Sequence, residues 1–165
     1  MVEWLYLELN NKKLRINPND SMDIYSWKEC KTRPSYWFKN KPNLHILKSG
    51  YKYYRIKINK KSYRLSRIVY KAHNKDWDIT DISINNFIDH INTNSLDNRI
   101  ENLRVVTQQQ NQWNRNAKGY SWDKNAKKWH AKININGKDK YLGLFDNEED
   151  AHISYLNAKE IHHKI

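Results

Sequence analysis

Cysteine is almost missing from this chain: among 165 residues there is one, Cys30. A disulfide scaffold needs a pair and a Cys₄ or Cys₂His₂ zinc module needs more, so both are excluded. Long apolar runs are missing too, and no stretch approaches the roughly 20 residues of a membrane-spanning helix. The opening MVEWLYLELNNKK places Glu3 where a secretory signal would carry positive charge, so an intracellular protein is expected. Apolar residues make up only 38% and the mean hydropathy is −1.04, which leaves little material for a large core. There is no internal repeat, low-complexity run or coiled-coil pattern, and the last absence favours a monomer.

What the chain does have is positive charge and rings. It carries 30 Lys+Arg against 18 Asp+Glu, a net +12, with seven Trp and eleven Tyr. Aromatic content of 13% argues against a disordered polycation. The charge is also unevenly placed. Residues 50–75 hold nine basic residues and no acidic ones, residues 76–105 hold two basic and six acidic, and residues 106–141 hold eight basic and two acidic. Two basic blocks around an acidic one suit a polyanion gripped on both sides of a cation site, since each neutralised phosphate releases counterions.

Local patterns give an α+β chain. Residues 1–45 are hard to read beyond a first strand at WLYLEL. From Gly50 the pattern sharpens. In YKYYRIKI, Tyr54, Ile56 and Ile58 alternate with Tyr53, Arg55 and Lys57, which predicts a strand, and Ser62–Leu65 its hairpin return. Ser66 is then in place to cap a helix that turns Ile68, Val69 and Ala72 inward. HNKDWDITDISINN reads as acidic loop, FIDH and LRVV as strands, and Thr107 with Gln110 as a capping box opening another helix. Beyond NRNAKG, WHAKINI alternates strictly, Asn136-Gly137 marks a hairpin turn, and Asn147 starts a helix burying Ala151, Tyr155 and Ala158.

The segment IDHINTNSLDNRIENLRVVTQQQNQWN combines the groups that metal-assisted phosphodiester hydrolysis needs: a base for water and a hard-ligand site for a divalent cation. Asp89 and His90 end a strand as neighbours and so point to opposite sides. Histidine suits the base because it titrates near neutrality. Asn111, one turn beyond Thr107, offers an amide oxygen that would complete a cation site with Asp89, and these oxygens favour one Mg²⁺ or Mn²⁺ over Zn²⁺. Asn102 lies between them in sequence and is placed to orient the imidazole.

DHINTNSLDNRIENLRVVTQQQNQWN resembles the HNH endonucleases of the phage and intron-homing branch, whose ββα-metal (His-Me finger) motif shows D-H, then N-N-R-x-E-N-L-R, then V-T and an Asn-bearing helix. The resemblance implies a homing-type or related mobile-element DNA endonuclease, with His90 as general base, Asn102 as the central Asn, and Asp89 and Asn111 as metal ligands. The last motif position, often His, is Asn here. GYKYYRIKINKKSYRLSRIVYKAH looks like the lead-in of these enzymes, except that Ser66 stands where a His commonly precedes the Arg. Arg55, Lys57, Arg64 and Arg67 in it are candidate DNA contacts.

GYSWDKNAKKWHAKININGKDKYLGLFDNEEDAHISYLNAKEIH resembles the Apetala/ethylene-response DNA-binding domain, a three-stranded sheet backed by one helix. Lys128, His130, Lys132 and Asn134 would line its exposed face, and Lys118, Lys124, Lys138 and Lys140 would add phosphate contacts. Double-stranded DNA is the expected partner, because the strands lack an RNA-recognition aromatic pair. The expected organisation is a nuclease module over 1–116, with its hairpin and helix at 50–73 and its motif at 87–117, and a DNA-binding module over 117–165. The competing reading is a non-catalytic DNA-binding regulator on a decayed HNH scaffold. A packaging-associated nucleic-acid binder is a third.

Overall fold

Four antiparallel strands open the chain, at Leu5–Leu9 (β1), Lys12–Asn17 (β2), Asp20–Lys28 (β3) and Tyr36–Asn40 (β4), paired in sequence order. The computed structural model describes residues 2–165. Leu9, Leu14, Ile16 and Ile24 point from this sheet into the core, while Tyr6, Arg15, Tyr25, Trp27 and Trp37 take the opposite face. A second sheet follows, from Asn43–Ile46 (β5), Lys52–Ile58 (β6) and Lys61–Arg64 (β7). Its hairpin places Ile56, Ile58 and Tyr63 in the same core as the first sheet.

Asparagine supplies the tight turns. Asn10 and Asn11 between β1 and β2, and Asn59 between β6 and β7, have φ of 50°, 56° and 45°, a left-handed conformation that Asn tolerates better than most side chains. The two turns also clasp each other: Asn10 Nδ2 donates to Asn59 O at 2.8 Å, and Asn59 Nδ2 donates to Asn10 O at 3.1 Å.

β7 runs without a break into helix α1, Leu65–His73. The expected cap at Ser66 is corrected: Arg64 holds the N-cap position without a side-chain cap bond, and Ser66 is buried inside the first turn. One side of α1 sends Ile68 and Ala72 into the core shared with the two sheets, and another joins Leu65 and Val69 to Leu103. That second cluster positions a two-stranded ribbon, Phe87–His90 (β8) against Leu103–Val106 (β9).

The chain divides into two compact units, Met1–Thr107 and Gln108–Ile165. The division falls nine residues before the 116/117 boundary that the sequence suggests. The cause lies in helix α2, Gln108–Trp113, and the linker after it. Trp113 stacks on His163 with centroids 4.8 Å apart, Gln109 bonds Asn136, and Lys159 Nζ donates to Arg115 O at 3.0 Å.

Within the second unit, Tyr120–Asp123 (β10), Lys128–Ile135 (β11) and Lys138–Phe145 (β12) form an antiparallel sheet backed by α3, Glu148–His162. Asn136 and Gly137 both adopt positive φ in the tight turn. Asn147 caps α3 by accepting from Asp150 N at 2.8 Å. Ala131 and Ile133 face the helix, and Ala151, Tyr155 and Ala158 are buried on the helix. No helix among the described residues is long and apolar enough to cross a membrane.

Candidate active site

β8 delivers two adjacent, buried, titratable side chains at its end, Asp89 and His90. Asp89 stands opposite Arg104 in the β8–β9 register. Arg104 donates to Asp89 Oδ2 through Nε at 3.0 Å and Nη2 at 2.9 Å, so both bonds converge on one carboxylate oxygen. Arg104 is itself about a quarter exposed, at 27%.

His90 Nε2 lies 3.2 Å from Asn98 Oδ1. The other end of that amide donates to Leu96 O, which fixes the oxygen towards the ring. Nε2 is therefore the nitrogen carrying hydrogen, and in the neutral ring the lone pair falls on Nδ1. Burial pushes the imidazole below the ordinary histidine value, and the Asn98 bond and the charges of Asp89 and Asp97 pull the other way. The net direction keeps the ring neutral, the form a general base needs.

Asn102, expected to orient the imidazole, sits elsewhere. Its Oδ1 accepts from Asn92 N at 2.9 Å and its Nδ2 donates to Asp97 O at 2.7 Å, so its amide spans the neck of the 91–102 loop. Asn98 takes the orienting place instead. The sequence holds both asparagines, and only the course of the loop decides which one meets the ring. Asp97 reinforces the loop: hydrogen bonds from Arg99, 2.9 Å from Nε and 2.8 Å from Nη2, hold its carboxyl far below the usual range. Asn111 lies on α2, in the second unit, and the first unit's geometry stands without it.

Arg67 is half-buried and its guanidinium is tied into the fold. It donates to Asn86 O at 2.9 Å, Ile79 O at 2.7 Å and Asp81 O at 2.8 Å, and it stacks over Trp77 at 4.6 Å. These bonds give Arg67 a structural part, as the clamp that closes the 74–86 loop onto α1. Arg55, Lys57 and Arg64 lie on the outward side of the β6–β7 hairpin, with Lys57 and Arg64 exposed. In the second unit, Lys118, Lys124, Lys132, Lys138 and Lys140 are exposed. Lys128 pairs with Asp146 at 2.9 Å, Lys132 with Asp139 at 2.7 Å, and His130 stacks on Tyr141. Exposed ion pairs of this kind are worth little, so they release their lysines at low cost.

Residues 63–113 match the family model for HNH endonuclease. They hold Asp89, His90, Asn98, Asn102 and Asn111, and the match supports an HNH-type module there. The chain is also similar to Protein 3.8 of Escherichia phage T7, at 27% identity over 113 residues, covering 62% of this chain and 93% of the phage protein. No solved structure matches. The family match ends at residue 113, and the Apetala/ethylene-response likeness of the residues beyond it is not supported.

The donor set suits a hard divalent cation in type: a carboxylate from Asp89 and amide oxygens in place of thiolates. Among the described residues, no group of three or more His, Cys, Asp or Glu is gathered as a preformed metal cluster.

Proposed function

We propose that the chain is a DNA endonuclease of the HNH type, hydrolysing phosphodiester bonds with His90 as general base. The observation that carries this reading is the buried Asp89–His90 pair, with an imidazole held neutral and oriented by Asn98, inside the segment that matches the family. His90 takes a proton from the attacking water at Nδ1, and Asn98 Oδ1 stabilises the imidazolium that results through Nε2–H. Asn102 acts by holding the loop that carries Asn98. A divalent cation, Mg²⁺ or Mn²⁺, held by Asp89 would offset charge on the phosphate and the departing oxygen. The sequence motif nominates Asn111 for the same ion.

The Lys-rich sheet surface of the second unit is proposed to hold double-stranded DNA through Lys118, Lys124, Lys128, His130, Lys132, Lys138 and Lys140, and Arg55, Lys57 and Arg64 of the first unit are proposed to contact phosphates beside the cleavage site. A single active site per monomer nicks one strand. One observation favours the rival reading, a DNA-binding protein with a lapsed nuclease centre: Arg104 already neutralises Asp89. Incubating the purified chain with supercoiled plasmid in Mg²⁺ or Mn²⁺, with EDTA as control, separates the two. Metal-dependent conversion to open circles is expected. Plasmid left intact in both metals, with DNA binding retained, would favour the rival.

A further inference from the structure

The outward face of the second sheet combines rings and cations with no counter-charge. His45 on β5 is directly opposite Tyr53 on β6, and the two rings stack at 5.6 Å with 21° between planes. Arg64 on β7 lies over Tyr53 at 4.7 Å, so Tyr53 is the middle of a three-member ladder. Tyr51 adds a further ring 5.8 Å from Tyr53 and is 41% exposed, and His45 is exposed as well. Arg55 and Lys57 share this face by the alternation that buries Ile56 and Ile58. The sequence has no acidic residue between Glu29 and Asp76, so the elements that build the face contribute cations alone.

The face is continuous with the candidate active site. Ser95 Oγ donates to Lys52 O at the start of β6, and Ser95 belongs to the loop whose Asn98 meets His90. Arg64 is close enough for its charge to act on His90.

Cations alone would suit any polyanion. Exposed rings set among them suit one that also has flat, stackable groups, and in a DNA duplex those groups are already covered by their neighbours. We propose that this face is a stacking platform for an unpaired stretch of DNA beside the cleavage site, with bases on Tyr51 and His45 and phosphates on Arg55, Lys57 and Arg64. The proposal rests on the nuclease reading for its ligand and sharpens the substrate class to DNA with an unpaired segment near the scissile bond.

Binding in EDTA tests it without requiring cleavage, so a failed nuclease assay and a failed platform are distinguishable. Fluorescence anisotropy of the full chain at one fixed salt concentration would compare a labelled 20-nucleotide single strand with the same sequence as a duplex. Tyr51→Ala and His45→Ala should each weaken single-strand binding on the order of tenfold, since a base stacked on a ring contributes that much. Duplex affinity should change less than about twofold, the range left by phosphate contacts that these variants do not touch. Tyr51→Phe and His45→Phe keep a ring and should retain single-strand binding, which separates lost stacking from damaged folding. Unchanged single-strand affinity in the alanine variants, or an equal fall for both ligands, overturns the platform.

Discussion

Asn98 Oδ1 faces His90 Nε2 at 3.2 Å, with both side chains buried, and this contact makes Nε2 the hydrogen-bearing nitrogen of the imidazole. The bond favours the charged ring, so it raises a pKa that burial otherwise depresses. Removing it in Asn98→Ala should lower that pKa further and move the acid limb of the pH–rate profile to lower pH. The rate should fall on the order of tenfold to a hundredfold as the ring loses its orientation. Asn98→Asp should move the limb the other way, because a carboxylate beside the ring stabilises the imidazolium. Profiles over pH 5 to 9 for the three proteins check both signs.

Asp89 is held by Arg104 through two bonds to one oxygen, and this pair predicts a linked loss. Asp89→Ala leaves a largely buried guanidinium unpaired and should destabilise the chain by about 1–3 kcal/mol, read from the urea midpoint. If Asp89 also holds the divalent ion, millimolar Mg²⁺ or Mn²⁺ should raise the Tm of the wild type by mass action and leave the variant unmoved.

Arg67 supports the fold at three carbonyls at once. Arg67→Ala should cost about 2 kcal/mol or more, since charge-assisted bonds are lost and the acceptors are left behind. Arg67→Lys should recover only part of that, because an ammonium cannot reproduce the guanidinium fork. Denaturant unfolding checks the order wild type, Lys, Ala.

Much of this was legible in the sequence where the signal is local. The alternation of Ile56 and Ile58, the FIDH and LRVV strands, the Asn136-Gly137 turn and the Asn147 cap all depend on neighbours a few residues away, and all are present. The first sheet was nearly invisible for a physical reason. Its outward face mixes the rings of Tyr6, Tyr25, Trp27 and Trp37 with Glu8, Lys13, Arg15 and Lys39, so the apolar–polar alternation of a half-buried strand is blurred. The partners of Arg67 and Asn102 sit on loops. Which carbonyls Arg67 meets, and whether Asn98 or Asn102 meets His90, is decided by the folding of residues 74–86 and 91–102, which no periodicity reports.

Acid should weaken the fold in a defined window. Burial lowers the folded-state pKa of both His90 and His73, the latter despite the opposing charge of Glu101. The unfolded chain takes up these protons near pH 6.5, so the folded state binds fewer below that point. The stability contributed by two neutral histidines is therefore complete above about pH 6.5 and is lost as the pH falls towards their depressed values. Urea midpoints at pH 7.5, 6.5 and 5.5 should fall slightly across the first step and more steeply across the second.

His90 is proposed to take the proton from the attacking water. Single-turnover nicking by wild type and His90→Ala, with Mg²⁺ or Mn²⁺ and enzyme in excess over DNA, measures it directly. A general base is worth about 10²–10⁴ in rate, so the variant should lose that much while its DNA affinity in EDTA stays unchanged. Cleavage by His90→Ala at the wild-type rate would contradict the account.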